Sequence, residues 1–244
     1  MSGPIGLHGG GEFLAGDEPF LLALLEAARP AANGGPIQAV VVPTAAARHR
    51  PDATARHGRE AIERVAAAAG IPVNVETALI VDAETADDST LADRLAGADL
   101  IYFPGGDSDL LPRLLRDSVA WTSILAANRR GAVVAGASAG AMALAPRTWT
   151  PRGWLDGLAL VHGLVVVPHY NGFDLRGWEA TLVELNAAGL GYLGIDERTG
   201  VLSSPNGTPA ATTWRVIGPG HVEWFPLRGE HVSGTNGSMI PLPA

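Results

Sequence analysis

The segment "GAVVAGASAGAMALAP", Gly131 to Pro146, sets one hydroxyl among residues that are nearly all small. Within it, Gly136-x-Ser138-x-Gly140 follows the strand-like run "AVVAG" and precedes the helix-prone "AMALA". A nucleophilic serine on a sharp strand-to-helix turn needs small residues two before and two after it, because other backbone passes close by. The free N–H groups at the start of the next helix can then meet a developing oxyanion. Glycine and alanine are abundant here, so the same string also arises as filler, and the motif alone leaves both readings open.

A serine hydroxyl needs a base, and the base needs an orienting acid. The chain has seven histidines. His49 and His57 lie among Arg48, Arg50, Arg56 and Arg59, the pattern of a solvated basic face. His221 and His231 fall in the C-terminal region, His8 precedes a glycine turn, and His162 sits inside a strand pattern. His169 differs, because it follows "GLVVVP" at the C-terminal end of a buried strand. Open α/β sheets assemble their sites at that edge. The position suits a general base, and it also suits an ordinary structural histidine.

The elements that must position these residues alternate between short apolar runs and amphipathic stretches, the pattern of a parallel sheet covered by helices. Strands are predicted in "PIGLH" (4–8), "IQAVVVPT" (37–44), "VNVETALIV" (73–81), "DLIYFPGGD" (99–107) and "AVVAG" (132–136). Helices are predicted in "EPFLLALLEAA" (18–28) and in "ATARHGREAIERVAAAAG" (53–70), closed by Gly70. "STLADRLAGA" (89–98) reads as a helix capped by Ser89, and residues 110–131 hold one or two more. Further on, 158–170 reads as a strand ending in histidine and 175–189 as a helix. Residues 191–204, 208–218 and 221–227 look like strands joined by glycine turns into hairpins. No linker or repeat interrupts the chain, so one α/β domain over 1–244 is expected.

Composition narrows the chemistry. A formal net charge of −8 argues against a nucleic-acid partner, which calls for a basic face. With no cysteine there is no disulfide, thiolate zinc site or thiol nucleophile. The histidines show neither H-x-H nor H-E-x-x-H spacing, and no G-x-x-x-x-G-K-[ST] loop is present, so no metal or other cofactor is expected. "MSGPIGLHGGGEF" lacks the basic and apolar regions of a signal peptide, and no apolar run reaches the roughly 18 residues of a membrane helix. The expectation is a cytoplasmic protein with no membrane partner; a homodimer is left open.

Four segments, "IYFPGGDSDLL", "VAGASAGAMAL", "VVVPHYN" and "LGIDERTG", resemble in their order the peptidase S51 family, the aspartyl dipeptidase (peptidase E) and cyanophycinase group. The resemblance runs from "IGLHGGGEF" to "TTWRV", most of the chain. It implies a flavodoxin-like three-layer α/β sandwich related to class I glutamine amidotransferases, with serine in place of cysteine. The C-terminal β-hairpins would add to that core. Carried across by motif, the nucleophile falls on Ser138, the general base on His169 and the triad acid on Glu197 of "GIDE". All three would then converge on one sheet edge. Asp196 should face the other way if strand alternation holds, and Asp156 in "GWLDGL" is the competing acid. Gly106 of "FPGG" and the N–H of Ala139 are the expected oxyanion hole.

The resemblance also implies a small acidic peptide substrate, cleaved beside an aspartyl residue as Asp-X or β-aspartyl. Recognition of a carboxylate calls for a cation, best an arginine. Arg176 is the first candidate, with Arg147 and Arg152 behind it. Asp107 and Ser108 follow the glycines as further substrate contacts, and Ser108 departs from the glutamine common in cyanophycinases. The basic context after the histidine is also missing from "HYNGFDLRGW", which favours a small peptide over cyanophycin. Trp149, Trp154 and Trp178 can line a pocket or pack a core. The competing classes are a serine amidase or esterase on a non-peptide substrate and a silent ligand-binding relative.

Overall fold

The computed structural model describes residues 2–172, 181, 183–185, 188–204 and 212–243. Five parallel strands carry the N-terminal part: β1 (Ile5–His8), β2 (Ile37–Val41), β3 (Val73–Thr77), β4 (Leu100–Phe103) and β5 (Val133–Ala137). They lie side by side in the order β1-β5-β4-β2-β3. Between them run α1 (Glu18–Ala28), α2 (Pro51–Ala69), α3 (Ala83–Ala86), α4 (Ser89–Ala96), α5 (Leu110–Leu115) and α6 (Val119–Arg129). These strands read as unbroken apolar runs because helices cover both faces. In β4, Leu100 and Tyr102 pack with α1 and α2, while Ile101 and Phe103 join the cluster on the opposite side. Phe20 and Leu24 of α1 are fully buried against the sheet, each worth about 1.5–3 kcal/mol.

Helix ends follow local chemistry. Gly70 closes α2 with φ +66°, as the sequence predicts. The cap of α4 is Asp88, one residue before the expected Ser89: its carboxylate accepts the Leu91 N–H at 2.8 Å. The 110–131 stretch is two helices, separated at Asp117 (φ +63°), with Ser118 capping α6 through the Trp121 N–H.

Downstream come α7 (Ala139–Leu144), β6 (Arg147–Thr150), β7 (Gly153–Asp156), β8 (Leu164–Val167), β9 (Gly191–Ile195), β10 (Gly200–Ser203), β11 (Thr212–Ile217), β12 (Val222–Phe225), β13 (Val232–Gly234) and β14 (Met239–Leu242). β10, β11 and β14 extend the main sheet antiparallel beyond β1. β8 and β9, parallel to each other, form a second sheet with β12 and β13. β6 and β7 make a separate hairpin, which the sequence reading did not foresee. Of the expected C-terminal strands, 208–218 and 221–227 do not pair as a hairpin, since β11 lies in the main sheet and β12 in the second. β10 and β11 are antiparallel neighbours, and β12 pairs with β13, which the sequence reading did not foresee. β9 instead crosses to the second sheet and pairs with β12.

This division corrects one expectation. Ser138 follows β5 of the main sheet, whereas His169 and Glu197 follow β8 and β9 of the second sheet. The three meet because Val166, Leu193 and Ile195 pack into the same hydrophobic cluster as Ile101, Val134 and Leu144. That packing lays the ends of β8 and β9 over the β5–α7 turn. The helix expected over 175–189 falls largely outside the described residues. Among those described, no helix is long and apolar enough to cross a membrane.

Candidate active site

Ser138 sits between the last residue of β5 and the first of α7, with φ +49° and ψ −115°. Few non-glycine residues adopt such backbone angles, and those that do concentrate at functional sites. The turn is held from both sides: the Ser138 N–H donates to the His8 carbonyl at 2.9 Å, and its own carbonyl accepts from Met142. The two flanking glycines are there for clearance. A β-carbon on Gly136 would stand 2.4 Å from the Gly140 carbonyl carbon, and one on Gly140 would stand 2.1 Å from the Phe103 oxygen. The two glycines of "GASAGA" are therefore demanded by close backbone approach, not by composition.

Ser138 Oγ lies 2.8 Å from His169 Nε2, and His169 Nδ1 lies 2.8 Å from Glu197 Oε1. A carboxylate can only accept, so Nδ1–H donates to Glu197 and Nε2 is left to accept from the Ser138 hydroxyl. Serine and imidazole are partly open to solvent, as a site must be. Asp196 turns away from this line, accepting the His221 N–H at 2.8 Å. Asp156 is mostly exposed on β7, its carboxylate 3.9 Å from Arg116. The acid that faces the imidazole is thus Glu197.

Gly106 and Ala139 both border the cavity beside Ser138, and neither N–H donates to an acceptor among the described residues. Asp107 and Ser108 border the same cavity. The Asp107 carboxylate also meets Arg48 at 3.4 Å and His49 at 3.6 Å. Arg48 reaches further to Asp109 with two hydrogen bonds, and they hold the Asp109 carboxyl below its usual range. Arg176 and Trp178 lie outside the described residues. Arg147 stacks over Trp154, 5.9 Å from the ring centroid, and neither Arg147 nor Arg152 borders the cavity. Trp149 does border it. Trp154 instead packs with the small cluster of Val165, Leu185 and Leu190.

The sequence reading gave the segment "HGGGEF" no role beyond a glycine turn, yet it braces the whole arrangement. The Gly9 carbonyl accepts the His169 N–H at 2.7 Å and the Gly10 carbonyl accepts the Arg198 N–H at 2.7 Å, so one loop sets both β8 and β9 exits. Glu12 Oε1 accepts the Gly105 N–H at 2.7 Å and fixes the glycine turn next to Gly106. Beneath the loop, fully buried His8 accepts the Gly10 N–H on Nδ1, and its Nε2 stands 2.9 Å from Asp17 Oδ1. That last contact is close but poorly aligned, so it is electrostatic more than a directed hydrogen bond. The available signal was a histidine ending a buried strand directly before three glycines. The nearby phenols are not bases near neutral pH: burial pushes Tyr170 up, and burial with Tyr170 alongside pushes Tyr192 up to about 12.

The model of peptidase family S51 matches residues 9–206. The chain belongs to peptidase family S51. Membership makes it a hydrolase of the serine-peptidase type. Among solved structures, this S51 peptidase is similar to a peptidase from an acI-B1 Actinobacterium, at 28% identity and TM-score 0.82 over 99% of this chain and 98% of that one. It also shares its fold with a protein from Listeria monocytogenes EGD-e named as a candidate peptidase E, at 19% identity and TM-score 0.54 over 83% and 94% of the two chains. No curated protein matches the chain.

Proposed function

We propose that this S51 peptidase cleaves short peptides through an acyl-enzyme, with Ser138 as nucleophile, His169 as general base and acid, and Glu197 as the group that orients the imidazole. The observation that carries this reading is the unbroken line from Ser138 Oγ through His169 to Glu197, each step 2.8 Å. As Oγ attacks the scissile carbonyl carbon, its proton passes to Nε2. The carbonyl oxygen becomes an oxyanion held by the Gly106 and Ala139 N–H groups, which act where charge develops and need no reorganisation. The tetrahedral intermediate collapses, the C–N bond breaks, and Nε2–H protonates the leaving amine. A water then gives its proton to Nε2, attacks the ester and releases the acid, restoring Ser138.

For the aspartyl selectivity that the family resemblance implies, Arg176 would be the cation, with Asp107 and Ser108 at the cavity border. The described cavity walls offer no such cation, so family likeness alone supports that selectivity.

The test is Ser138→Ala beside wild type on a library of short peptides. Hydrolysis should fall on the order of 10⁶-fold, with the thermal midpoint and far-UV spectrum retained. A Ser138→Ala protein that still cleaves the best peptide at more than a hundredth of the wild-type rate rules the nucleophile out.

A further inference from the structure

The cavity beside Ser138 measures about 320 Å³ and is bordered on one side by Gly106, Ser138, Ala139 and His169. Its other described lining residues are Asp107 and Ser108, which are polar, and Met142, Trp149, Pro151, Val166, Val167 and Pro168, which present mostly carbon. Met142 lies one helical turn past Ser138, Trp149 comes from β6, and the two valines end β8. Met142 and Trp149 both border the cavity and are only partly buried. Ligand sites run from about 300 to 1,000 Å³, so this one has room for a single large side chain.

Resting on the acyl-enzyme reading above, we propose that this cavity receives the side chain of the residue whose carbonyl Ser138 attacks, and that it selects a large apolar residue over an acidic one. With the carbonyl carbon at Oγ and its oxygen on the Gly106 and Ala139 N–H groups, the acyl-side chain lies over the cavity mouth those residues form. A leucine, methionine or phenylalanine side chain exchanges water for the valine, proline, methionine and tryptophan wall. An aspartate side chain meets no lysine or arginine among the described lining residues, and leaving a carboxylate there unpaired is costly. Asp107, the one carboxylate among the described lining residues, repels it further. The basic side chains near Asp107, Arg48 and His49, are about half and two-thirds exposed and stand outside the lining. The specificity thus departs from the aspartyl preference that the resemblance implies.

The experiment uses the full chain and two dipeptide series. One varies the acyl residue (Leu, Met, Phe, Asp, Glu, Lys) before a fixed alanine, and the other varies the leaving residue after a fixed leucine. The expected result is a kcat/KM for the apolar acyl residues 10- to 100-fold above that for Asp, with weaker dependence on the leaving residue. Met142→Arg should move the Leu/Asp ratio towards Asp by at least about tenfold. Met142→Gln, which keeps length without charge, should lower the Leu rate alone and guards against a folding failure of the arginine variant. Preference for Asp in wild type, discrimination only at the leaving residue, or an unmoved ratio in both variants overturns the proposal. Labelling of the same preparations with a serine-directed fluorophosphonate separates the two readings. Ser138 labelled with no apolar preference, or with no peptide cleaved, defeats the cavity proposal, and an unlabelled native protein defeats the acyl-enzyme reading beneath it.

Discussion

A β-carbon on Gly10 would stand 2.2 Å from His169 Cε1, 2.7 Å from Nε2 and 2.9 Å from Nδ1. Carbon atoms in contact settle at about 3.5–4.0 Å, so in Gly10→Ala the imidazole must retreat by more than about 1 Å. Both 2.8 Å bonds of that ring would then be lost or bent. A misplacement of about 1 Å costs on the order of 10²-fold in rate, and it falls on kcat while the cavity that binds the peptide is left in place. The backbone adds its own strain, since Gly10 has φ +108°, worth about 1–3 kcal/mol for a residue with a side chain. Gly11→Ala separates the two effects. Gly11 also has a positive φ, +71°, but its β-carbon would meet nothing nearer than 3.5 Å and would not touch His169. Steady-state kinetics with thermal melts on both variants decide the matter. Gly10→Ala should lose about 100-fold or more in kcat with KM within a few-fold, while Gly11→Ala shows a comparable melting shift and near-normal kcat. Equal kcat losses in the two variants, or a fully active Gly10→Ala, would refute the reasoning.

Other outcomes follow from the same geometry. Glu197→Gln should lower kcat on the order of 10⁴-fold with the fold intact, whereas Asp156→Asn should leave kcat within about twofold; kinetics that reverse this order move the acid to Asp156. His8→Leu leaves the buried Gly10 N–H without its acceptor, at about 1–3 kcal/mol, and calorimetry should show a midpoint about 2–10 °C lower; an unchanged midpoint removes the brace. Asp109 has its pKa lowered by Arg48, so the pair's contribution is fully present above the ordinary carboxyl value of about 3.9 and is lost as pH falls through the lowered one. The midpoint gap between wild type and Arg48→Gln should therefore be largest at neutral pH and close only in acid below that ordinary value. A gap that stays constant into strong acid contradicts the assignment.

What the sequence made legible was local. Gly136, Ser138 and Gly140 belong to one turn, and their spacing encodes the clearances found around it. The parallel strands announced themselves because burial on both faces writes continuous apolar runs. Pairing between distant segments was not legible. Only residues 196–199 separate β9 from β10, yet the two enter different sheets, and no local pattern distinguishes a turn within a sheet from a crossing between sheets. The same limit hid the loop from His8 to Glu12, whose role lies in backbone bonds to His169, Arg198 and Gly105, far along the chain. Glu197 was reached through family likeness alone, because one glutamate beside an aspartate carries no spacing signal; its distance from His169 supplies the physical reason. The cavity wall, drawn from α7, β6 and β8, is likewise a product of packing rather than of any one motif.

The central claim, that Ser138 is an activated nucleophile, is tested most directly by intact-mass spectrometry after incubation with a serine-directed fluorophosphonate, followed by peptide mapping. The account predicts one adduct per wild-type chain, located in the peptide that contains Ser138, none in Ser138→Ala and strongly slowed labelling in His169→Ala. A native wild-type chain that takes up no label, or an adduct on any other residue, contradicts it.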